Sequence, residues 1–481
     1  MKNRVILGCA LCVLVGCVND MFSCHADAHS ASTSTSRSCG TKDSFKDMHA
    51  CLGDPQKAYD FFERLSLQHD DIDHESVVCI FEMFQEKMSA LLSRKDAWHK
   101  YKLAECFLFN YDESMNEEGA TYVRKIDCSE KPEHKFVIKG DIHGDFEAVM
   151  HMLHFYNVRG KMTGFSINDP RLNFVFLGDY IDRGYSGINT LCALMVFACC
   201  NIDRVVLLRG NHETWALSQS VEIEYNFCRE ILRKYGENKG IDLYIKACSC
   251  FHFLPVAFFI QWDTQTEHPH TALCCHGGIN REYDHRSFLA HPHVLFDSCK
   301  FDYHYLGMPR CPFFWNDFDV MPCLGTQEKH MARGSRWIES YTQEGVQKYC
   351  TEYGIDCIFR SHQHSPEMMR AIMQGGGVAK LWLTEHGSNL WPGVVVTFGI
   401  TPRSYLGAYH KLSYDAHAVF TPYGAMPSCG FDLVQLKVKS KPIDEEHGKE
   451  DCAHQELFLD DMITSSFGDG SIRPLCPCSI M

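Results

Sequence analysis

Between Phe136 and Glu213 three short apolar runs each end in a polar cluster that begins with glycine. Phe136-Val137-Ile138-Lys139 leads into Gly140-Asp141-Ile142-His143-Gly144, and Leu172-Asn173-Phe174-Val175-Phe176-Leu177 leads into Gly178-Asp179-Tyr180-Ile181-Asp182-Arg183-Gly184. Val205-Val206-Leu207-Leu208-Arg209 precedes Gly210-Asn211-His212-Glu213. Short runs rich in Val, Ile, Phe and Leu predict buried strands, and the segments between them are long enough for crossover helices. Parallel strands of this kind would deliver the polar clusters together at their carboxyl ends, where ligands bind in open α/β sheets.

The same patterning extends along the chain. Phe146–Tyr156 and Val221–Lys234 have helical spacing, and the strongly apolar Ile188–Cys200 predicts a helix buried against the sheet. Thr271–Cys275 is a strand ending at His276-Gly277-Gly278, Cys357-Ile358-Phe359 a strand running into Arg360-Ser361-His362-Gln363, and Val394–Phe398 a further strand. Val419-Phe420 and Phe431–Lys437 are expected in the second sheet. Ahead of this region, Tyr59–Leu65 and Val77–Phe84 predict amphipathic helices, followed by a polar, irregular lead-in over Cys106–Glu133.

The residue types at the strand ends suit a pair of metal ions. Asp141, His143, Asp179 and Asn211 offer oxygen and imidazole donors, and one Asp can bridge two ions. A Gly-Asp pair alone is an ordinary turn former; three such clusters in order, each behind a strand, point to a site.

With these clusters in place the chain resembles the PPP superfamily of metal-dependent phosphoprotein phosphatases. Gly140–Gly144, Gly178–Gly184 and Leu207–Glu213 match its first three motifs, Cys274–Gly278 its fourth, and Arg360–Gln363 resembles the segment carrying its last metal ligand. The resemblance implies an α/β, metallophosphoesterase-like central β-sandwich of two mixed sheets flanked by helices. It implies one metal held by Asp141, His143 and Asp179, and a second held by Asp179, Asn211, His276 and His362. It makes His212 the general acid, oriented by Asp182, with Arg183 and Arg333 as phosphate contacts and Tyr405 near the scissile phosphate. His364, two residues past His362, is not expected to reach the same ion.

The implied activity is hydrolysis of phosphate monoesters on phosphoproteins by metal-activated water, without a phosphoenzyme. Two divalent ions are expected, Mn first, with Fe or Zn as alternatives; three imidazole ligands argue against calcium. The segment Ile400-Thr401-Pro402-Arg403-Ser404-Tyr405 keeps the family's Pro and Tyr but departs at Arg403 and Ser404, which leaves phosphotyrosine against phosphoserine or phosphothreonine open. The alternatives are a small-molecule or dinucleoside-polyphosphate phosphatase and a catalytically silent phosphoprotein-binding module.

Composition narrows the surroundings of this core. The 481 residues are 45% hydrophobic, enough for one large catalytic domain with extensions. A formal net charge of -15 argues against a nucleic-acid partner. Of the 26 cysteines, several lie in expected core elements, which favours buried reduced thiols. The expected organisation is a signal-like segment over residues 1–24, a flexible linker over 25–42, and a helical extension with the irregular lead-in over 43–133. A catalytic domain over 134–440 and an acidic, flexible tail over 441–481 complete it. Met1–Cys17, basic then apolar and ending like a lipobox, suggests export or lipid attachment to a membrane, and the acidic tail resembles signals of injected bacterial effectors. Nothing in the sequence fixes an oligomeric state.

Overall fold

The computed structural model describes residues 52–99, 120–130, 133–220, 223, 225–265, 269–279, 293–297, 312–318, 329–333, 336–382, 394–404, 412, 414–423, 429–437 and 463–466. The expected organisation over residues 1–51 and most of 438–481 lies outside them.

Two mixed sheets carry the fold. The first has six strands in the order Ile463–Ser466 (β19), Gly430–Lys437 (β18), Tyr414–Thr421 (β17), Lys135–Lys139 (β3), Leu172–Phe176 (β6) and Val205–Leu207 (β7). Here β3, β6 and β7 are parallel, as the apolar runs predict, whereas β17 joins β3 antiparallel. The second has eight: Trp98–His99 (β1), His293–Asp297 (β10), Ala120–Asp127 (β2), Ala257–Trp262 (β8), His270–Cys275 (β9), Cys357–Arg360 (β14), Val394–Phe398 (β16) and Val378–Trp382 (β15). Within it β9, β14 and β16 run parallel. A hairpin of Met162–Thr163 (β4) and Ser166–Ile167 (β5), and a small sheet of Asp317–Phe318 (β11), Arg336–Tyr341 (β13) and Lys329–Arg333 (β12), complete the described strands.

Period-two alternation sorts the strand residues into separate cores. Phe136 and Ile138 of β3, Val175 of β6 and Val206 of β7 meet Phe258, Ala272, Phe359 and Val396 of the opposite sheet in a core between the sheets. Their neighbours Val137, Phe174, Phe176, Val205 and Leu207 point the other way, into a core formed with helices. Those helices are Pro55–Gln68 (α1), His74–Leu92 (α2), Phe146–Val158 (α3), Gly187–Cys200 (α4), Phe227–Tyr235 (α6) and Glu237–Phe251 (α7), with the short Trp215–Ser218 (α5) between α4 and α6. On the outer face of the eight-stranded sheet, Phe259, Leu273, Ile358 and Val395 pack with Val346 and Tyr349 of Gln343–Tyr353 (α9). Pro312–Trp315 (α8) lies against β13 of the small sheet, and Pro366–Gln374 (α10) packs on β15 of the eight-stranded one. The result is the expected sandwich of two mixed sheets between helical layers.

The N-terminal helices are part of this packing. Asp54 caps α1 by accepting the Gln56 and Lys57 N–H groups, and Asp73 caps α2 at Ser76. Fully buried Phe62 makes edge contacts with Phe146 of α3 and with Phe165, at ring-centroid distances of 6.2 and 5.8 Å. Phe62→Ala is therefore expected to destabilise the protein by about 3–5 kcal/mol, read as a lowered urea midpoint. An unchanged midpoint would show that α1 contributes nothing to the stability of the sandwich.

Four expectations are corrected. The lead-in is not wholly irregular: Ala120–Asp127 forms β2, an interior strand between β10 and β8, with Tyr122 and Val123 buried. The charged pair Arg124-Lys125 masks that strand in the sequence. The closing strands β17 and β18 belong to the same sheet as β3, β6 and β7, not to the second sheet, because β17 pairs directly with β3. In the expected flexible tail, Ile463–Ser466 pairs with β18 as an edge strand. The helix expected from Val221 begins at Phe227, where the Asn226 side chain accepts the Arg229 N–H. Cys192, Cys199, Cys274 and Cys275 are buried free thiols, as expected. Among the described residues no helix is long and apolar enough to cross a membrane.

Candidate dinuclear metal centre

Loops from both sheets meet at one place. Asp141 and His143 follow β3, Asp179 follows β6, and Asn211 and His212 follow β7; His276 follows β9, and His362 and His364 follow β14. Getting side chains to converge this tightly requires unusual backbone. His143, Asp179, Asp182, Arg183 and His362 all have φ between 47° and 67°, a region that non-glycine residues visit at a cost and that clusters at functional sites.

Hydrogen bonds hold these turns in place. The N–H groups of Ile142 and His143 donate to the Asp179 carbonyl at 3.0 and 2.8 Å, stacking the first loop on the second. Gly184 permits this approach, since any Cβ there would overlap the His143 carbonyl oxygen. The buried Glu213 carboxylate accepts the N–H groups of Asp179 (2.8 Å), Tyr180 (2.7 Å) and Gly210 (2.9 Å), tying the second loop to the third.

His143 and His276 each have one nitrogen anchored on a backbone carbonyl and the other turned toward the centre, the usual arrangement of ligating histidines. His143 Nδ1 donates to the Ile181 carbonyl at 2.9 Å, leaving Nε2 3.5 Å from Asp179 Oδ2. His276 Nδ1 donates to the Leu177 carbonyl at 3.0 Å, leaving Nε2 3.2 Å from Asp179 Oδ2 and 2.8 Å from Asn211 Oδ1. His362 presents Nδ1, 3.0 Å from Asn211 Oδ1. His364 Nε2 lies 2.9 Å from Asp141 Oδ2.

Three groups place their ligand atoms within 4.8 Å of one another: Asp141, His143 and His364; His143, Asp179 and His212; Asp179, His276 and His362. Asp179 is shared by two of them, as a bridging carboxylate would be. His212 Nε2 is buried with no hydrogen-bond partner, and Asp141 Oδ2 and His364 Nε2 are buried with no partner but the ion-pair contact to each other. Buried polar atoms without partners are costly, and divalent cations would satisfy a carboxylate and imidazole set of this kind. The residues fit two such ions.

Electrostatics point the same way. Burial alone would push the Asp141 carboxyl up, but the imidazoles of His276, His364 and His143 hold it below the usual range. Burial opposes a charge on His276, yet Asp179 and Asp141 bring it up to about 9. The carboxylates thus call for positive charge. Burial, reinforced by Arg183, holds His143 down to about 4, the neutral form a metal needs.

His212 stands apart. Its Nδ1 is 2.6 Å from Asp182 Oδ2, and Asp182 Oδ1 accepts the Phe227 N–H at 2.6 Å, so the carboxylate that orients the ring is itself fixed. Burial pushes the Asp182 carboxyl up and holds the His212 imidazole down, the latter reinforced by Arg183. Arg183 Nη1 lies 3.5 Å from His143 Nε2, which places its guanidinium at the centre. Arg209 donates instead to the Glu213 carbonyl at 2.9 Å and packs over Phe314.

The structure brings together Asp141, His143, Asp179, Asn211, His276, His362, His212, Asp182 and Arg183. Arg333 ends β12, its backbone opposite Arg336, but its side chain lies outside the described residues, as does Tyr405. His364, set apart from the ion of His362 by the sequence reading, falls in the group of Asp141 and His143 instead, a position that reading did not assign it. Glu213 was read only as part of a motif, although the chain places its carboxylate under two loops.

The model of the calcineurin-like phosphoesterase family matches residues 134–366. The serine/threonine-protein phosphatase SIT4 of Candida albicans is 30% identical over 243 residues, covering 50% of this chain and 67% of that protein. Serine/threonine-protein phosphatase 7 of Arabidopsis thaliana is 39% identical over 293 residues, 55% of this chain and 63% of that one. A solved serine/threonine phosphatase from Saccharomyces cerevisiae, similar to human PP5, aligns over 81% of this chain and 91% of its own at 18% identity and a TM-score of 0.39. The chain belongs to the calcineurin-like phosphoesterases, within the PPP family of metal-dependent phosphoprotein phosphatases.

Proposed function

We propose that the protein hydrolyses phosphate monoesters on phosphorylated proteins at a dinuclear metal site. The observation that carries this reading is the convergence of Asp141, His143, Asp179, Asn211, His276 and His362 on one buried point between the sheets. Asp141 and His143 would hold one ion, Asn211, His276 and His362 the other, with Asp179 common to both; Mn is the first choice and Fe or Zn the alternatives. Divalent ions in such a site supply Lewis acidity toward phosphoryl oxygens and lower the pKa of water.

The chain's own groups do the rest. Arg183 offers a planar fork of donors for two phosphoryl oxygens, and Arg333 is proposed beside it. His212, oriented through Nδ1 by Asp182, carries a proton on Nε2 to the departing ester oxygen. The names of the two curated relatives support phosphoserine and phosphothreonine as the substrate groups. The basic and apolar start over Met1–Cys17 supports an exported or membrane-attached protein.

Chelation with EDTA and desalting is expected to abolish turnover of p-nitrophenyl phosphate, with recovery on adding Mn²⁺. Full turnover by the stripped protein would exclude the reading. On matched peptides, kcat/KM is expected to exceed that for diadenosine tetraphosphate and nucleotides; efficient turnover of those small molecules with inert phosphopeptides would reject a protein substrate.

A further inference from the structure

The segment that leaves β16 lies across the back of the first metal loop. Thr401 donates its N–H to the Asp141 carbonyl at 3.2 Å and its hydroxyl to the Ile142 carbonyl at 2.8 Å. Arg403 donates its N–H to Asp145 Oδ2 at 3.0 Å, and its Nη1 lies 3.8 Å from Asp145 Oδ1, buried and without a hydrogen-bond partner. Asp145 Oδ1 in turn accepts the Ala148 N–H at 3.0 Å, capping α3. Thr401 and Asp145 are buried. The loop and the segment touch closely at their base, where a Cβ on Gly140 would come within 2.6 Å of Phe398 Cβ and 2.7 Å of the Gly399 oxygen.

The Asp145 carboxylate is the keystone of this contact. Its two oxygens accept from two separate segments, the start of α3 and the crossing segment, while its charge faces a guanidinium. An amide has one acceptor oxygen and no charge, so it would serve one donor and leave the other unpaired. Capping α3 alone would not need a carboxylate, since Asn caps helices as well as Asp.

We infer that Thr401, Arg403 and Asp145 are positioning residues, a clamp that fixes Asp141 and His143 at the spacing the first ion requires. The inference rests on the dinuclear reading above, and it couples the Thr401–Ser404 segment to metal binding rather than to substrate alone. Partners that orient metal ligands typically change affinity by about 10- to 100-fold when removed.

The test is Mn²⁺ titration calorimetry and electron paramagnetic resonance on the full chain, for the wild type, Asp145→Asn, Thr401→Val, Arg403→Gln and Arg403→Lys. Asp145→Asn and Thr401→Val are expected to weaken one of two Mn²⁺ sites by about tenfold or more. At limiting metal their spectra should shift from a spin-coupled pair toward isolated Mn²⁺. Arg403→Lys, which keeps the charge, should retain more affinity than Arg403→Gln, and turnover in every variant should recover at high Mn²⁺. Thr401→Val replaces one hydroxyl by a methyl group, so the clamp stays testable even where Asp145→Asn fails to fold. Variants that bind both ions as the wild type does overturn the clamp alone. A wild type that binds no Mn²⁺ overturns the clamp together with the reading beneath it.

Discussion

Asp179→Asn should lower kcat/KM by at least about a hundredfold and reduce bound Mn²⁺ from two ions toward one. The expectation follows from how much rests on one carboxylate. Asp179 Oδ2 is 3.5 Å from His143 Nε2 and 3.2 Å from His276 Nε2, so it faces both halves of the site, while Oδ1 accepts the His212 N–H at 3.0 Å. Asparagine keeps the shape and one acceptor but removes the charge that would neutralise two cations. Orienting partners alone are worth about 10- to 100-fold in affinity or activity, and a shared ligand must exceed that. Metal analysis alongside kinetics checks the result; a variant with two ions and normal turnover would show that Asp179 is no bridge.

His212→Ala should leave metal content intact and lower kcat by about 10²- to 10⁴-fold on phosphoserine peptides, the range of positioned proton donors. The deficit should be much smaller on p-nitrophenyl phosphate, whose leaving phenoxide needs little protonation. This contrast separates proton donation from general damage to the site. Equal losses on both substrates would remove His212 from the role of acid and leave it a structural partner of Asp182. Asp182→Asn should reproduce a milder form of the same pattern, because the ring would keep its place but lose the carboxylate 2.6 Å from Nδ1.

Much of the site was legible because each ligand lies within a few residues of an apolar run. A strand that ends in Gly-Asp or Gly-Asn-His announces its chemistry locally, as β3, β6 and β7 do, and β9 runs straight into His276-Gly277-Gly278. His364 was less legible because its position depends on the turn at His362, whose φ of 67° no local pattern dictates. The Glu213 carboxylate is similar: of its three backbone donors two, Asp179 and Tyr180, come from the loop after β6, and only Gly210 is near in sequence. Sheet membership was misread for a related reason. Lys139 pairs with His417, and nothing in the Tyr414–Thr421 run names β3 as its partner over the strands of the other sheet. The strand β2 was hidden because Arg124 and Lys125 interrupt the apolar signal while Tyr122 and Val123 still reach the interior.

The candidate ligands are divided by sheet: Asp141, His143, Asp179 and Asn211 follow strands of the six-stranded sheet, and His276 and His362, with His364 beside them, follow strands of the eight-stranded one. Ions held there would act as rivets through the seam of the sandwich, adding to the apolar packing and the few hydrogen bonds that join its two layers. Free divalent cation then becomes a variable of mechanical integrity as well as of chemistry. A ligand present at a hundred times its Kd adds about 2.7 kcal/mol to the folded state. In a metal-poor environment the protein would lose rigidity along that seam at the same concentrations at which it loses turnover.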